Sequence, residues 1–224
     1  MVQKSNQLYF LSLCLFLFTV LFTDRIIQNE FNLADQSVQS WAVSISNPII
    51  TNFMSAVTLL AKTEMLALMS ATTFIYFAVK KYLHYIFLFL FVMGGGVVIT
   101  FLMKISIERD RPGETFYVDF WGLGSDIISY SYPSGHAAKG LLFFGFLIYY
   151  VQLELKDRII KATSTILMVL IIILIGFGQI ILDRHYLSDV IGGYLVASAW
   201  ILICLAVMES KRMKHRLGAG PPTF

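Results

Sequence analysis

The chain has 224 residues, of which 57% are hydrophobic and only 14% are charged, and its formal net charge is +3 at pH 7. Soluble proteins carry about 25% charged residues, and with a mean hydropathy of +0.73 this chain has too few polar side chains to cover a water-soluble globule. The composition excludes a soluble enzyme, a disordered protein and a disulfide scaffold, and it indicates an integral membrane protein. Cys14 and Cys204 lie in apolar runs, so we infer neither a disulfide nor a metal site from them.

The first apolar stretch, residues 5–23, carries no charged side chain and is long enough to cross a hydrocarbon core of about 30 Å. It lacks a small-residue cleavage site before Asp24, so we interpret it as a retained signal anchor. Residues 24–61 mix apolar and polar side chains and predict one or two amphipathic helices at the membrane interface. A connecting loop fits the first half of this segment equally well.

Five further apolar segments complete a predicted set of six transmembrane helices. Their ranges are 63–79, 82–103, 133–153, 162–182 and 190–208. No internal repeat and no low-complexity linker separates them. We therefore predict an all-α membrane protein with one six-span domain over residues 1–210, interfacial helices in its first outer loop, and a basic tail over residues 211–224.

The placement of lysine and arginine predicts the orientation of these spans. Ten of the seventeen such residues fall on one side of the six-span arrangement: Lys4, Lys80, Lys81, Lys156, Arg158, Lys161, Lys211, Arg212, Lys214 and Arg216. A positive excess marks the cytoplasmic side, so we expect a multi-pass protein of the cell membrane with both termini in the cytoplasm. Lys104, Arg109, Arg111 and Arg184 instead gather at the outer ends of two spans, where costly charges indicate an anionic ligand.

Three short segments are predicted to meet on the outer face, and the first joins Lys104 to Arg111. These two residues are seven positions apart, close to two helical turns, so they share one helix face before Pro112 discourages further helix. An ammonium and a planar guanidinium on one face suit a phosphate group. Two long side chains that snorkel from the end of a span are the structural alternative.

The second segment is Tyr132-Pro133-Ser134-Gly135-His136, which opens the fourth span. Ser134 is predicted to cap this helix. Gly135 allows a ligand to approach the free amides of the first turn, which form an anion site. His136 then lies beside the bound anion, although a histidine hydrogen-bonded at a helix entry would show the same pattern.

The third segment opens the sixth span and contains Arg184, His185 and Asp189. His185 and Asp189 have i, i+4 spacing, so they are predicted to lie on one helical face. A carboxylate in that position fixes the tautomer of an imidazole and stabilises its charged form, as histidine-dependent catalysis requires. A structural His–Asp pair is the alternative when the segment is considered alone.

Taken together, the three segments resemble the membrane branch of the type 2 phosphatidic acid phosphatases, a family that includes phosphatidylglycerophosphate and undecaprenyl pyrophosphate phosphatases. That family shows a lysine, six residues and Arg-Pro; then Pro-Ser-Gly-His; then Ser-Arg, five residues, His, three residues and Asp. Residues 104–112 match the first motif, residues 133–136 the second, and His185 and Asp189 the end of the third. The order and the spacing between the motifs agree, and the six-span layout covers nearly the whole chain.

The resemblance implies a phosphatase that acts on a lipid phosphate or pyrophosphate in the bilayer, without metal, cofactor or nucleic acid. His185 would attack phosphorus to form a phosphohistidine, and Asp189 would stabilise its imidazolium. His136 would protonate the leaving lipid oxygen and then activate water. The phosphoryl oxygens would be held by Lys104, Arg111, Ser134 and the amide of Gly135.

One departure from the family pattern concerns its third motif, where Gly178-Gln179 stands in place of Ser-Arg. The family arginine contacts phosphate, whereas the Gln179 amide donates hydrogen bonds without a charge. Arg184 is the candidate to supply the missing charge. The departure leaves open a weak or silent lipid-phosphate binder. A phosphotransferase that passes the phosphoryl group from His185 to an alcohol is a second alternative, because the sequence does not separate it from a hydrolase.

Overall fold

The computed structural model describes residues 2–113, 117 and 128–218, and these residues form a bundle of α-helices. The helices are α1 (Val2–Ile27), α2 (Asn32–Ile45), α3 (Pro48–Thr58), α4 (Thr63–Val79), α5 (Leu83–Ile107), α6 (Gly135–Glu154), α7 (Arg158–Ile181) and α8 (Leu187–Gly218). A single 3₁₀ turn over Leu59–Ala61 connects α3 to α4.

Five of these helices, α1 and α5 to α8, are long and apolar enough to cross a membrane. Helix α4 is apolar but has only 17 residues, which span about 25 Å at 1.5 Å per residue. The predicted all-α membrane fold is therefore confirmed, with α4 as its shortest predicted span.

Helices α2 and α3 occupy the segment for which amphipathic helices were predicted, and they are confirmed as helices. The chain bends by 117° between α2 and the α3–3₁₀ unit. Pro48 begins α3, and the side chain of Asn47 accepts hydrogen bonds from the amides of Ile49 and Ile50. Because proline and an Asn cap both favour a helix start, the sequence itself fixes this bend. The bend lets α2 pack against α7 and α8.

Two glycines bring α8 close to the segment that precedes α6. A Cβ atom on Gly192 would lie 2.3 Å from the ring of Tyr132, and one on Gly193 would lie 2.6 Å from the carbonyl oxygen of Ser134. Only glycine permits so close an approach of backbone to its neighbours. The start of α6 and the start of α8 are therefore held directly against each other.

The chain leaves helix α5 earlier than the sequence pattern predicted. Helix α5 ends at Ile107, and Glu108 adopts a left-handed conformation with φ of 50°. Lys104 is therefore in the last turn of the helix, whereas Arg111 lies in the loop beyond it. The prediction that both share one helix face is wrong, because the helix stops well before Pro112.

Two predicted segments fall partly outside the described residues. Most of the predicted outer loop from Gly113 to Tyr132 belongs to the ranges 114–116 and 118–127, which the structure does not describe. Helix α8 runs through residue 218 and so into the predicted basic tail. Residues 219–224 of that tail are likewise not described.

Candidate active site

A cavity of about 480 Å³ collects side chains from all three sequence motifs. Its lining includes Lys104 and Arg111 from the first motif, Gly135 and His136 from the second, and His185 from the third. Residues of α3 and α4 line the opposite wall: Ser55, Thr58, Thr63 and Glu64, with Leu59 and Lys62 between the helices. Three segments far apart in sequence therefore share one pocket, as the sequence predicted.

His185 is buried, with 1% of its surface exposed, yet it contributes to the cavity wall. The pKa of His185 is lowered to about 3, first because the imidazole is buried and also because cationic Lys104 and Arg111 lie nearby. The carboxylate of Asp189 opposes this shift without overcoming it. Burial disfavours the charged imidazolium, so His185 is neutral near pH 7 and its ring carries one free nitrogen lone pair.

The hydroxyl of Ser131 determines which nitrogen of His185 keeps the proton. Ser131 Oγ donates a very short hydrogen bond to Asp189 Oδ2 and lies 3.2 Å from His185 Nδ1, which is itself 3.6 Å from Asp189 Oδ2. Because the single hydroxyl proton goes to the carboxylate, Nδ1 must carry a proton and donate to Ser131. The lone pair is then on Nε2, which is 3.4 Å from Arg111 Nη1.

Asp189 is fully buried and is held by a second charged side chain, Arg109. Arg109 Nη1 donates to Asp189 Oδ1 at 2.6 Å, and Arg109 Nη2 donates to Asp35 Oδ2 at 2.8 Å. Although burial opposes its charge, the two carboxylates outweigh that effect and raise the pKa of Arg109. Arg109 therefore links two buried carboxylates, one of which holds His185.

Asp35 brings α2 into this network. Its Oδ1 accepts a hydrogen bond of 2.9 Å from the amide of Ser188, in the first turn of α8. The Ser188 hydroxyl also donates to Asp35, and Arg109 Nη1 donates to the same hydroxyl at 2.8 Å. A carboxylate beside the free amides of a helix N-terminus is favourably placed, so Asp35 ties α2 to the helix that carries Asp189.

Sequence reasoning assigned no role to Asp35 or Ser131, and it placed Arg109 only among the four cations that indicate an anionic ligand. Asp35 did carry a signal, because it is the only charged residue between Glu30 and Lys62 in an otherwise uncharged segment. Ser131 directly precedes the second motif, but a lone serine offers no chemical pattern. Arg109 lies inside the first motif, between the two residues to which phosphate binding was attributed.

Lys104 and Arg111 are anchored to the chain just before the second motif. The ammonium of Lys104 donates to the carbonyl oxygens of Tyr130 and Ser131. Arg111 Nε donates to the carbonyl of Ser129 at 2.7 Å, and Nη1 donates to the carbonyl of Arg184 at 2.9 Å. Burial lowers the pKa of Arg111 to about 10, so its guanidinium stays charged at pH 7. These backbone contacts orient both cations along the cavity wall.

Ser134 directly precedes the first residue of α6, but its hydroxyl makes no capping hydrogen bond. The prediction of a serine cap is therefore wrong. Ser134 is fully buried, and its Oγ has no hydrogen-bond partner within the described part of the chain. Gly135 faces Lys104, because a Cβ atom at this position would lie 3.6 Å from Lys104 Cε. The start of α6 thus packs against the Lys104 side chain through Gly135.

The two candidates for the missing family arginine lie in different surroundings. Arg184 lines the cavity beside His185, and burial lowers its pKa. Gln179 is fully buried, does not line the cavity, and its amide nitrogen and oxygen have no partners among residues 2–113, 117 and 128–218. The backbone carbonyl of Gln179 accepts hydrogen bonds from the backbone amides of Arg184 and His185, so Gln179 supports the turn that carries both residues.

The cavity is chemically suited to a phosphate group. Five cationic side chains line it: Lys62, Lys104, Lys139, Arg111 and Arg184. Glu64 is the only carboxylate among its described lining residues. A neutral imidazole with its Nε2 lone pair available therefore lies on the wall of a strongly positive pocket, an arrangement that favours attack on an anionic phosphoryl centre.

The site and the bundle define a membrane protein with two histidines in a cationic pocket, and comparison with known proteins gives the family. Residues 85–213 match the model of the PAP2 superfamily, and the chain belongs to that superfamily. It is similar to phosphatidylglycerophosphatase B of Bacillus subtilis (strain 168), with 28% identity over 185 residues, or 80% of this chain and 86% of that protein.

Two solved structures share the fold. One is the PAP2-type transmembrane phosphatidylglycerolphosphate phosphatase from Bacillus subtilis, with a TM-score of 0.71 and 24% identity over 89% of this chain and 96% of that chain. The other is LpxE from Aquifex aeolicus, with a TM-score of 0.57 and 17% identity over 77% of this chain and 94% of that chain. The chain is therefore a multi-pass membrane protein of the PAP2 fold.

Proposed function

We propose that this protein is a lipid phosphate phosphatase that hydrolyses a phosphate monoester or pyrophosphate of a lipid through a phosphohistidine on His185. The single observation that carries the proposal is the way the two ring nitrogens of this imidazole are partnered. Its Nδ1 proton is directed at Ser131 and Asp189, and its Nε2 lies 3.4 Å from Arg111 on the wall of the cationic cavity. Similarity to a phosphatidylglycerophosphatase supports the same reading.

In the first step, the Nε2 lone pair of His185 attacks phosphorus in line with the bond to the lipid oxygen. The N–P bond forms as the P–O bond breaks, and His136 gives its proton to the departing oxygen. His185 becomes a phosphoimidazolium, whose charge is stabilised through Nδ1 by Ser131 and Asp189. Arg109 keeps Asp189 ionised and oriented for this task.

The phosphoryl oxygens are held by the cations around His185 as charge moves among them. Lys104, Arg111 and Arg184 supply positive charge from the cavity wall. The amide of Gly135 supplies a neutral donor from the cavity lining. Ser134 and Gln179 are buried and do not line the cavity, so we propose that their side chains turn toward the phosphate when it binds. Support comes from the unpaired state of the Ser134 and Gln179 side chains in the described chain, because an unsatisfied buried donor costs about 1–3 kcal/mol.

In the second step, water attacks the phosphoimidazolium. His136, now neutral, takes the proton from water, the N–P bond breaks, and inorganic phosphate leaves with the electron pair returned to His185 Nε2. Side chains supply every proton transfer and every charge contact in this scheme. We therefore propose that the reaction proceeds without a metal ion.

The cavity opens on the face where α1, α5 and α7 end and where α4, α6 and α8 begin. We propose that this face is extracytoplasmic and that both termini are cytoplasmic. Support comes from the ten lysines and arginines on the opposite side of the bundle, because a positive excess marks the cytoplasmic face.

The experiment that tests the proposed function is trapping of the intermediate. The purified protein in detergent is mixed with a lipid phosphate labelled with ³²P and quenched, and the label should reside on histidine, stable to base and released by acid. His185→Ala should abolish labelling, and His136→Ala should slow both labelling and phosphate release, because His136 acts in both steps. Full activity should survive treatment with a metal chelator. Release of phosphate from substrate without any labelled protein would contradict the proposed covalent route.

The same measurement separates hydrolysis from the two alternatives. Phosphate release shows a hydrolase, a labelled alcohol formed on adding glycerol shows transfer to an alcohol, and lipid binding without either product shows a silent binder. A panel of phosphatidic acid, phosphatidylglycerophosphate and a polyprenyl pyrophosphate then identifies the substrate class.

A further inference from the structure

Tyr186 lies between His185 and helix α8, and the proposed mechanism gives it no task. The residue directly precedes the first residue of α8. It lines a polar cavity of about 380 Å³ together with Asp35 and Arg109. This cavity and the one that contains His185 share none of their described lining residues. Tyr186 therefore lies behind the network that holds His185, outside the phosphate pocket.

The ring of Tyr186 lies against the guanidinium of Arg109. Arg109 Cζ is 4.6 Å from the ring centroid, within the range of about 6 Å over which an aromatic face attracts a cation. Arg109 follows the end of α5, so no helix fixes its position. Its hydrogen bonds to Asp189 and Asp35 use N–H groups that lie in the plane of the guanidinium, whereas the ring covers the face of that plane. The ring therefore restrains the tilt that these hydrogen bonds leave free.

The backbone of Tyr186 holds the other side of Asp189. The amide of Tyr186 donates to Asp189 Oδ2 at 2.9 Å, in the pattern by which a side chain at the third helical position reaches back to the amide that precedes the helix. Arg109 donates to the other oxygen, Oδ1, at 2.6 Å. Tyr186 therefore acts on both oxygens of Asp189, on Oδ2 directly and on Oδ1 through Arg109.

An aromatic side chain suits this position for an electrostatic reason. The polar cavity lets water approach Arg109, whose side chain is 13% exposed. Water would weaken the ion pair between Arg109 and Asp189, because a high dielectric constant screens charges. An aliphatic side chain would also keep water away, but only the negative face of an aromatic ring attracts the cation as well.

We propose that Tyr186 is a positioning residue for the reaction at His185. Its ring fixes Arg109, and Arg109 in turn fixes the Asp189 carboxylate that holds the Nδ1 side of the imidazole. The inference rests on the proposed phosphatase function. Because Tyr186 touches neither the substrate nor the reacting nitrogen, its effect should appear in the protonation of His185 and not in substrate binding.

The groups that face His185 determine what a pH profile can report. The charged or titratable ones are Lys104 on α5, Arg111 in the loop after it, His136 on α6 and Asp189 on α8. Among these groups, Asp189 is the one that Arg109 contacts. The ring of Tyr186 can therefore change the charge around His185 through this carboxylate.

The test is the profile of kcat/KM against pH for the purified full chain in detergent. The substrate is whichever of phosphatidic acid, phosphatidylglycerophosphate and a polyprenyl pyrophosphate the wild-type protein hydrolyses fastest. Tyr186→Leu removes the aromatic face, so Arg109 neutralises Asp189 less and the pKa of His185 rises. The acid limb should move to higher pH by about half a pH unit, the size of a partly exposed cation–π contact, with KM unchanged. Tyr186→Phe keeps the ring and should retain the wild-type profile.

A double variant tests whether Tyr186 acts through Arg109. Arg109→Met already lacks the cation, so adding Tyr186→Leu should not move the acid limb further. The matched control is Tyr9→Leu, which changes an exposed tyrosine near the start of α1, at the opposite end of this helix from the site, and should leave the profile unchanged. The inference is overturned if Tyr186→Leu keeps the wild-type profile, if Tyr186→Phe shifts it equally, or if the two single shifts add in the double variant.

A measurement without substrate separates failure of this inference from failure of the proposed function. Titration of the His185 ring nitrogens by ¹⁵N NMR in detergent reports the pKa of His185 whether or not lipid is hydrolysed. If the wild-type protein releases no phosphate but Tyr186→Leu raises this pKa, the proposed function fails and the coupling of Tyr186 to His185 stands. An unchanged pKa in an active protein overturns the coupling and leaves the function standing. If Tyr186→Leu does not fold, as judged by its thermal midpoint, Tyr186→Met carries the same test.

Discussion

The bridge that Arg109 forms between Asp189 and Asp35 yields the most informative prediction. The side chains of Asp189 and Asp35 are 0% and 2% exposed, and that of Arg109 is 13% exposed. Arg109→Met would leave two buried carboxylates without this cation. Removal of one partner from a buried ion pair costs about 3–5 kcal/mol. We therefore expect a thermal midpoint in detergent about 10 °C lower, at 2–4 °C per kcal/mol for a chain of this size.

Asp35→Asn is a milder change at the other end of the bridge. The asparagine oxygen can still accept from the Ser188 amide, and Arg109 keeps its contact of 2.6 Å with Asp189. The asparagine nitrogen then replaces Oδ2 and cannot accept from Arg109 Nη2, so the Asp35–Arg109 hydrogen bond is lost. Because a hydrogen bond to a charged group contributes about 1.5–3 kcal/mol, the expected destabilisation is about 2 kcal/mol.

The two variants should move the acid limb of the profile of kcat/KM against pH in opposite directions. Asp189 opposes the lowering of the pKa of His185, and Arg109 partly neutralises Asp189. Arg109→Met therefore exposes His185 to the full charge of the Asp189 carboxylate and should raise the pKa of His185. The acid limb should then move to higher pH. In Asp35→Asn, Arg109 faces a single carboxylate and neutralises the charge of Asp189 more completely. The pKa of His185 should then fall, and the acid limb should move to lower pH.

Arg25→Met provides the matched control for both variants. Arg25 pairs with Glu30, and the two side chains are 54% and 46% exposed, so solvent screens this surface pair and it contributes little to stability. The control should change neither the thermal midpoint nor the pH profile. Shifts of the acid limb in the same direction for Arg109→Met and Asp35→Asn would refute the electrostatic reasoning and leave the bridge a purely structural role.

Three further predictions concern the site and its orientation. Arg184→Ala should lower kcat/KM at least tenfold, because a charge-assisted contact contributes about 1.5–3 kcal/mol. Gln179→Met should lower kcat/KM about fivefold. Equal activity in both variants and the wild type would exclude the two residues from the phosphate site. The pKa of His185 is about 3 in the folded chain and about 6.5 in the unfolded chain, so the unfolded chain binds more protons between these two pH values. The free energy of unfolding should therefore fall by about 1.4 kcal/mol for each pH unit below pH 6.5. His185→Gln should flatten this slope when unfolding is measured against pH. Single cysteines are introduced at exposed Asn32 or at exposed Lys156, with Cys14 and Cys204 replaced by serine. An impermeant thiol reagent on intact cells should label the cysteine at position 32 and not the one at position 156. The reverse labelling would invert the topology.

The sequence by itself determined the class of the protein and identified several of the residues that line its cavity. Hydropathy and the spacing of charges are local properties of the chain, so they located the spans and the amphipathic segment before α4. The three motifs also identified Lys104, Arg111, His136 and His185, which meet on one cavity wall. These residue types are rare in apolar segments, and their order along the chain was sufficient to group them.

Only the tertiary structure decided which charges hold His185. Asp35 reaches Arg109 across 74 positions of the chain and Ser188 across 153 positions, and no local pattern encodes such pairings. They arise because the bend that follows α2 lets this helix pack against α7 and α8, and because the glycines of α8 admit the backbone of the second motif. Helix ends and side-chain partners depend on this packing, which is why the end of α5 and the unpaired Ser134 hydroxyl were both unexpected.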